Sequence, residues 1–366
     1  MRYPSLYLDW YNHVPNLKYD FRSSGILPFK HNLMLGEVDL NANYTPHLSN
    51  FLAKRYHVKP ENVLLSSDGA SGQNSRIIQF IAEKDKKKRE AVVEYPTYEP
   101  LLRQAQEHFP HIKRLERKEK ESFKLDADAL RKVVSEKTGL LVLTNPHAPS
   151  GVIAQKSELK EIMAVAYEYG FYVLCDEIYA EFERDAIPTV FSVDEELGIV
   201  TTSFTKAYGL GGLKLGIALA NKNLVDGLYI DLMNTAGGAS NIVQLIALEL
   251  LTKDREILEK HKQKWITLKR ETEEWLNEKG FEFSPNKISV TYWVKTPMED
   301  TYTWTNNHTI PRYGLAAVPG AFFLFKSDYK LVMSNMIRLG LGNLNPYNPI
   351  LREALENLEK AIETYH

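Results

Sequence analysis

The sequence lacks the features that mark several classes of protein. Its 366 residues include a single cysteine, Cys175, which excludes a disulfide within the chain and a zinc site built from cysteines. No apolar run approaches the roughly 20 residues of a membrane span, and the start MRYPSLYLDWYNHVP has no signal-peptide core. A net charge of −2 gives no electrostatic reason to expect nucleic acid or an acidic membrane as a partner. We therefore expect a cytoplasmic protein.

Several catalytic motifs are also missing. The chain has neither the GxxxxGK[ST] pattern of a P-loop nor the GxSxG pattern of a nucleophile elbow. The segment GLGGLK (209–214) departs from GxGxxG because Lys214 occupies the last glycine position. The histidines are scattered, and His108 and His111 form the only close pair, so no metal site is predicted.

The middle of the chain alternates apolar runs with segments of helical spacing. In one such segment, 157–170, we expect Ser157 to cap the helix and Gly170 to end it, and we expect Asp126 to cap another helix. Apolar runs without polar alternation indicate a parallel sheet covered by helices on both faces. The predicted strands are 63–67, 91–95, 139–144, 171–175 and 198–204.

This rhythm stops near residue 240, which suggests a second domain. A helical stretch from Ile242 to Lys279 is followed by three strand candidates and by a final amphipathic helix from about Pro349 to Thr364. We predict a large α/β domain at 45–255, with a mostly parallel central sheet covered by helices. A smaller α+β domain would combine 1–44 with 256–366. The three late strand candidates are 287–295, 314–325 and 335–342.

Polar residues follow the predicted strands at the edge where an open parallel sheet binds ligands. They are a small-residue loop at a helix start, two tyrosines, a carboxylate and a lysine: Gly69-Ala70-Ser71, Tyr98, Asp176, Tyr179 and Lys206. Each has a plainer reading, since the loop also fits a tight turn, the tyrosines fit a core and the lysine fits solvent. Together they fit a ligand with a phosphate, a planar ring, a basic ring nitrogen, a hydroxyl and an aldehyde. Pyridoxal 5'-phosphate has all of these.

The segment SFTKAYGLGGLKLG (203–216) resembles the lysine signature of the class I/II aminotransferases, which are pyridoxal-phosphate enzymes of fold type I. The order of its neighbours, including NPHAPSG (145–151), is most similar to the histidinol-phosphate aminotransferase-like branch. The resemblance runs from about Leu35 to the C-terminus, and it implies a large domain with a mostly parallel sheet plus a smaller α+β domain.

The resemblance also implies roles for individual residues. Lys206 would form the Schiff base with the coenzyme and then move protons, Asp176 would pair with the ring nitrogen, and Tyr179 would donate to the ring hydroxylate. Tyr98 would stack on the ring, and Arg338 would bind the substrate α-carboxylate. The phosphate would be held by Gly69, Ala70, Ser71, Ser203, Lys214 and, from the partner subunit of a homodimer, Tyr44. A packed loop aromatic at Tyr44 and a surface charge at Arg338 remain alternatives.

Two residues depart from the family pattern. Lys214 stands where arginine is usual, which keeps the charge but loses a bidentate grip on phosphate. Ala148 stands where the family places an asparagine that contacts the ring hydroxyl and the substrate carboxylate. One hydrogen bond to a charged group is worth roughly 1.5–3 kcal/mol, so binding would weaken unless Asn145 or a water compensates.

The resemblance implies an aminotransferase that moves an amino group between an α-amino acid and a 2-oxo acid by ping-pong chemistry through a Lys206 aldimine. A pyridoxal-phosphate lyase or decarboxylase on the same fold is one alternative. A non-catalytic member that keeps the scaffold is another. The sequence leaves the substrate open, with Arg22 as one candidate for a second carboxylate.

Overall fold

The computed structural model describes residues 5–28, 38–39, 41–252, 255–285, 288–326, 329–344 and 350–365. Two β-sheets with helices around them make up these ranges. The strands are β1 Tyr19–Phe21, β2 Val63–Ser66, β3 Glu90–Tyr95, β4 His111–Glu116, β5 Thr138–Thr144, β6 Tyr172–Asp176, β7 Gly198–Thr202, β8 Gly216–Leu219, β9 Thr291–Lys295, β10 Leu315–Pro319 and β11 Met336–Gly340.

The larger sheet has seven strands in the order β2-β8-β7-β6-β5-β3-β4. Its centre is parallel from β4 through β7, and every residue of β5 and β7 is buried. Burial on both faces explains why these strands appear in the sequence as uninterrupted apolar runs. All five predicted strands of this region are confirmed, with small shifts at their ends.

One strand of this sheet, β8, runs antiparallel to both of its neighbours, β7 and β2. Only the loop 203–215 separates β7 from β8, and its one helical turn, the 3-10 turn Gly211–Leu213, is too short to carry a crossover connection to a parallel strand. The glycine-rich segment hid this strand from sequence reasoning. Because β8 is reversed, Lys214, two residues before its start, lies at the same edge of the sheet as the carboxyl ends of the parallel strands.

The smaller sheet has the order β1-β10-β11-β9. Its strand β1, from the N-terminal segment, pairs in parallel with β10, more than 290 residues later in the sequence. The three strands predicted late in the chain all form here, and β11 lies between β10 and β9 and pairs antiparallel with both. The division into domains at 45–255 and at 1–44 with 256–366 remains a prediction.

The helices begin and end largely where capping residues suggest. Asp126 accepts hydrogen bonds from the N–H groups of Asp128 and Ala129, and Gly170 ends its helix in the left-handed conformation, as expected. The expectation that Ser157 caps that helix is wrong, because Gln155 is the N-cap and forms a capping box with Glu158.

The helices are α1 Leu6–His13, α2 Thr45–Tyr56, α3 Gly69–Lys84, α4 Glu99–His108, α5 Ala127–Val133, α6 Lys156–Tyr169, α7 Val190–Val193, α8 Lys222–Ala236, α9 Asn241–Thr252, α10 Arg255–Glu278, α11 Thr301–Trp304, α12 Ile310–Tyr313 and α13 Ile350–Glu363.

The stretch predicted as helical from Ile242 to Lys279 contains two helices, α9 and α10. The predicted final helix is confirmed as α13, whose buried side chains recur at helical spacing. In the described part of the chain, no helix combines the length and apolarity that crossing a membrane requires.

Candidate functional site

A cavity of about 520 Å³ opens at the carboxyl ends of the parallel strands. Its volume is in the range of pockets that hold small ligands. Nine of the residues predicted from the sequence line it together: Gly69, Ala70, Ser71, Tyr98, Asp176, Tyr179, Lys206, Lys214 and Arg338. The cavity therefore lies where the topology of an open parallel sheet places a ligand site.

The first turn of α3 forms one end of the cavity. Gly69 adopts φ +73° with open space around a Cβ built there, and its N–H already donates to the Lys214 carbonyl at 2.7 Å. Within the described ranges, the N–H groups of Ala70 and Ser71 donate to no protein acceptor. Two free donors at the positive end of a 16-residue helix suit a phosphate. Gly69 thus contributes open space rather than a donor.

Asp176 ends β6 and is buried beneath the cavity. Its Oδ2 accepts from Asn74 Nδ2 at 2.8 Å and its Oδ1 accepts from the Ile178 N–H at 3.1 Å. Burial raises the pKa of Asp176, whereas these two hydrogen bonds and the nearby charge of Lys206 lower it. Thr201 Oγ1 donates to Asn74 Oδ1 at 2.5 Å and orients that amide. This carboxylate is held in place and has room for a cationic partner.

Lys206 reaches the cavity from the loop after β7. Burial lowers its pKa to about 8, and the charges of Arg338 and Lys214 add to this effect, while Asp176 opposes it. Its Nζ donates to Ser24 Oγ at 3.2 Å. About a tenth of such an amine is neutral at pH 7, far more than for an ordinary lysine, and the neutral form is the one that attacks an aldehyde.

Arg338 lies on β11 and lines the cavity, with 3% of its surface exposed. Among the residues that the structure describes, no carboxylate forms an ion pair with it. Its Nη2 donates to the Arg22 carbonyl at 2.5 Å and to the Tyr7 hydroxyl at 3.3 Å. Its Nε is buried and has no hydrogen-bond partner in the described structure. Since such an orphaned donor is costly, a carboxylate ligand would satisfy it.

Two tyrosines predicted from strand ends also line the cavity. Tyr98 meets the ring of Tyr7 edge to face at 5.8 Å. Burial raises the pKa of the Tyr179 phenol, and the charge of Arg338 and a hydrogen bond with Ser24 oppose that rise. Both phenols therefore remain protonated at neutral pH, so that each can donate a hydrogen bond.

Three other sequence candidates lie elsewhere. Ser203 does not line the cavity. Its buried hydroxyl forms a hydrogen bond with that of Thr205 at 2.7 Å, and Thr205 is the one of the two that lines the cavity. Tyr44 is also outside, and its hydroxyl donates to the Asp39 carbonyl at 3.1 Å. Arg22 is buried, paired with Asp20 at 2.8 Å and bonded to backbone carbonyls, so it is not a second cation in this cavity.

Because Ala148 stands where the family places an asparagine, the cavity lacks a side-chain hydrogen-bond donor at this position. Ala148 lines the cavity, and Asn145 does not compensate for the missing amide. Its Oδ1 accepts from the Ala154 N–H at 2.9 Å and its Nδ2 donates to the Pro188 carbonyl at 3.0 Å. The neighbouring His147 is also committed, with ring nitrogens 2.7 Å from Ser150 Oγ and 3.0 Å from the Pro96 carbonyl.

The residues of this site that sequence reasoning missed include Tyr7, Ser24, Asn74 and Thr205. Asn74 had a signal, because it is a polar residue on the face of α3 that buries Ile77 and Ile78. Thr205 is adjacent to the lysine. Tyr7 and Ser24 come from the N-terminal segment, where neither periodicity nor a motif marks them.

Comparison with known proteins finds a match to one family model and to several aminotransferases. The family model for aminotransferase class I and II matches residues 37–343. A histidinol-phosphate aminotransferase of Methanococcus aeolicus is 25% identical over 60% of this chain and 57% of its own. An aromatic amino acid aminotransferase of Thermobifida fusca is 29% identical over 61% of each. The matched region thus spans less than two thirds of these relatives.

A solved structure shows the same fold over the full length. A PLP-dependent aminotransferase from Streptococcus suis superposes with a TM-score of 0.82 and 21% identity, covering 100% of this chain and 99% of that one. The predicted fold, an α/β structure of fold type I, is confirmed.

Proposed function

The chain belongs to the class I and II aminotransferase family, and from its cavity we propose that it is a pyridoxal-phosphate-dependent aminotransferase acting between an α-amino acid and a 2-oxo acid. One observation supports this most: a lysine amine with a pKa of about 8 shares a cavity with a buried carboxylate and a buried, incompletely bonded arginine. Fold alone would not distinguish the reactions that this scaffold supports.

The residues present fit pyridoxal 5'-phosphate, the coenzyme of this family. Ala70 and Ser71 offer free N–H donors for the phosphate, with the charge of Lys214 beside them. Asp176 would hold the ring nitrogen, Tyr179 the ring oxygen and Tyr98 a ring face. When bound, the coenzyme supplies an aldehyde for Lys206 and an electron sink for the substrate's α-carbon.

The protein's own groups would then position the substrate and move its proton. Arg338 would bind the α-carboxylate through Nε and the remaining guanidinium hydrogens, which orients the α-carbon. Lys206 Nζ, neutral in part at pH 7, would take a proton and return it. A cationic ring nitrogen beside Asp176 would keep that carboxylate ionised despite its burial.

A single-turnover experiment tests the reaction class. Incubating the coenzyme-loaded protein with an amino donor alone should give one equivalent of 2-oxo acid and a lasting change in the visible spectrum. Continued product release from the donor alone would instead indicate a lyase or decarboxylase. A protein that acquires no visible band with the coenzyme would be a non-catalytic member.

Quaternary structure and location belong to the same proposal. We propose a homodimer in which Tyr44, outside its own cavity, reaches the partner's phosphate. The division into domains at 45–255 and at 1–44 with 256–366 would then set one domain on each side of the cavity. A single cysteine is consistent with a cytoplasmic location. Cross-linking between a cysteine placed at Tyr44 and one at Ser71 of the partner would support the dimer, and purely intramolecular linkage would oppose it.

A further inference from the structure

The N-terminal segment brings a serine hydroxyl to the reactive lysine. Ser24 is 7% exposed and lines the cavity. Its Oγ accepts a hydrogen bond from Lys206 Nζ at 3.2 Å, across 182 residues of sequence. The same hydroxyl lies near the Tyr179 phenol, whose pKa it lowers. Within the described residues, Ser24 is the one hydrogen-bond acceptor of the Lys206 amine.

We propose that Ser24 is a positioning residue that joins the Lys206 amine and the Tyr179 phenol in one hydrogen-bonded chain. A hydroxyl can accept from an amine while it donates to a phenol oxygen, so a serine can serve both neighbours at once. The inference rests on the proposed function, and it gives the N-terminal segment a part in the site that the alternating strands and helices do not supply.

The backbone around Ser24 is held tightly against Lys206. The Ile26 N–H donates to the Lys206 carbonyl at 3.0 Å. A Cβ on Gly25 would lie 2.7 Å from Lys206 Cδ, so only glycine allows this approach. On the other side, added Cβ atoms at Gly340 and Gly342 would collide with the carbonyls of Ser23 and Gly25. The segment is therefore clamped between the lysine and the end of β11.

Held in this way, the Ser24 hydroxyl supplies a donor on the side of the cavity where Ala148 offers none. Asn145 is fully engaged elsewhere, as shown above. Ser24 instead places a hydroxyl beside Tyr179, the residue assigned to the ring oxygen. The Lys206 amine is otherwise surrounded by charges, with Asp176, Arg338 and Lys214 acting on it through space. Within the described residues, the hydrogen bond to Ser24 is the one contact that fixes the orientation of the amine.

The test uses coenzyme-loaded protein and the pH at which its visible band changes. Without Ser24 Oγ, a protonated nitrogen at Lys206 loses its hydrogen-bond acceptor. Ser24→Ala should therefore lower the midpoint pH of the spectral change by roughly 0.5–1 pH unit. Ser24→Thr keeps the hydroxyl and should restore the midpoint. Ser23→Ala is the matched control, because that hydroxyl donates to the Gly25 carbonyl at 2.9 Å and not to Lys206.

Tyr179→Phe should move the same midpoint, and the double variant with Ser24→Ala should show less than the sum of the two shifts, because both act through one chain. If Ser24→Ala does not fold, Ser24→Cys provides the comparison. An unchanged midpoint, or additive shifts, would overturn the role of Ser24. Borohydride reduction of the unmutated protein tests the proposed function separately. If Lys206 is labelled there, an unchanged midpoint counts against Ser24 alone, and if Lys206 is unlabelled, the proposed function itself fails.

Discussion

Two regions of the molecule build the cavity, and they do so by different rules. The seven-stranded sheet supplies Asp176, Tyr179 and Lys206 from successive strand ends, so their meeting follows from parallel topology. The N-terminal segment supplies Tyr7 and Ser24, which reach the same cavity through contacts with residues far along the chain. The seven-stranded sheet provides Asp176 and Lys206, and β11 of the smaller sheet provides Arg338. The N-terminal segment holds Lys206 and Arg338 in position.

The difference shows where each region is vulnerable. The sheet residues lie at or shortly after the ends of buried strands, and we expect a change there to remove a chemical group without moving the backbone. The N-terminal segment depends on close contacts at Gly25, Gly340 and Gly342 and on a few hydrogen bonds. A change there should move groups without removing them. Variants in the two regions should therefore fail in different ways.

The largest effect is expected at the sheet, from Asp176→Asn. An amide cannot hold a protonated ring nitrogen, and loss of one partner from a buried pair costs about 3–5 kcal/mol, or roughly a thousandfold in kcat/KM. Steady-state kinetics with matched spectra would measure it. Asp226→Asn is the control, since its ion pair with Lys222 is exposed. Activity within tenfold of the unmutated protein would remove Asp176 from the account.

A smaller loss is expected where the two regions meet, at Arg338. Arg338→Lys keeps the charge but loses the orphaned Nε donor, and so KM should rise about 10- to 100-fold with a lesser change in kcat. Arg352→Lys, at an exposed pair with Glu356, should change neither constant. A fall in kcat at constant KM would contradict binding of the α-carboxylate by Arg338.

In the N-terminal segment, Gly25→Ala should weaken coenzyme binding about tenfold. The added Cβ would press on Lys206 Cδ, and crowding of this kind typically costs 1–3 kcal/mol. Equilibrium titration with coenzyme would show the loss. At Gly212 a Cβ meets nothing within 4 Å, so Gly212→Ala is the control. Equal affinities of the two variants would mean that the segment does not press on the lysine.

The smallest effect on the site is expected at the start of α1, where a change should alter the stability of the fold and leave catalysis intact. Buried Glu99 accepts hydrogen bonds from Ser5 and Tyr329, and burial raises its pKa to about 7. Because the folded pKa exceeds the unfolded one, the folded state binds the extra proton between about pH 4.5 and 7, and stability falls as pH rises through that window.

Glu99→Gln should remove this decline and gain roughly 1–3 kcal/mol over the unmutated protein at pH 8. Denaturant unfolding at pH 5 and pH 8 would measure it, with the exposed Glu161→Gln as control. Parallel stability curves for the Glu99 variant and the unmutated protein would show that this carboxylate does not titrate in the window.

Much of the fold and the sheet-borne half of the site could be predicted from the sequence. Apolar runs located the strands, Asp126 and Gly170 marked helix ends, and Lys206 and Asp176 followed from their places after strands. The contacts of Tyr7 with Arg338 and of Ser24 with Lys206 span 331 and 182 residues, and nothing local in the N-terminal segment encodes them. Strand β8 was missed for another reason, since a glycine-rich segment looks like a loop.

The most direct test is to reduce the coenzyme-loaded protein with borohydride and map the modified residue by peptide mass spectrometry. The account predicts one stable adduct per chain, on Lys206, with the visible band lost on reduction. It also predicts no adduct in Lys206→Ala. A coenzyme mass on any other lysine, or none on a protein that folds and is saturated with coenzyme, would contradict it.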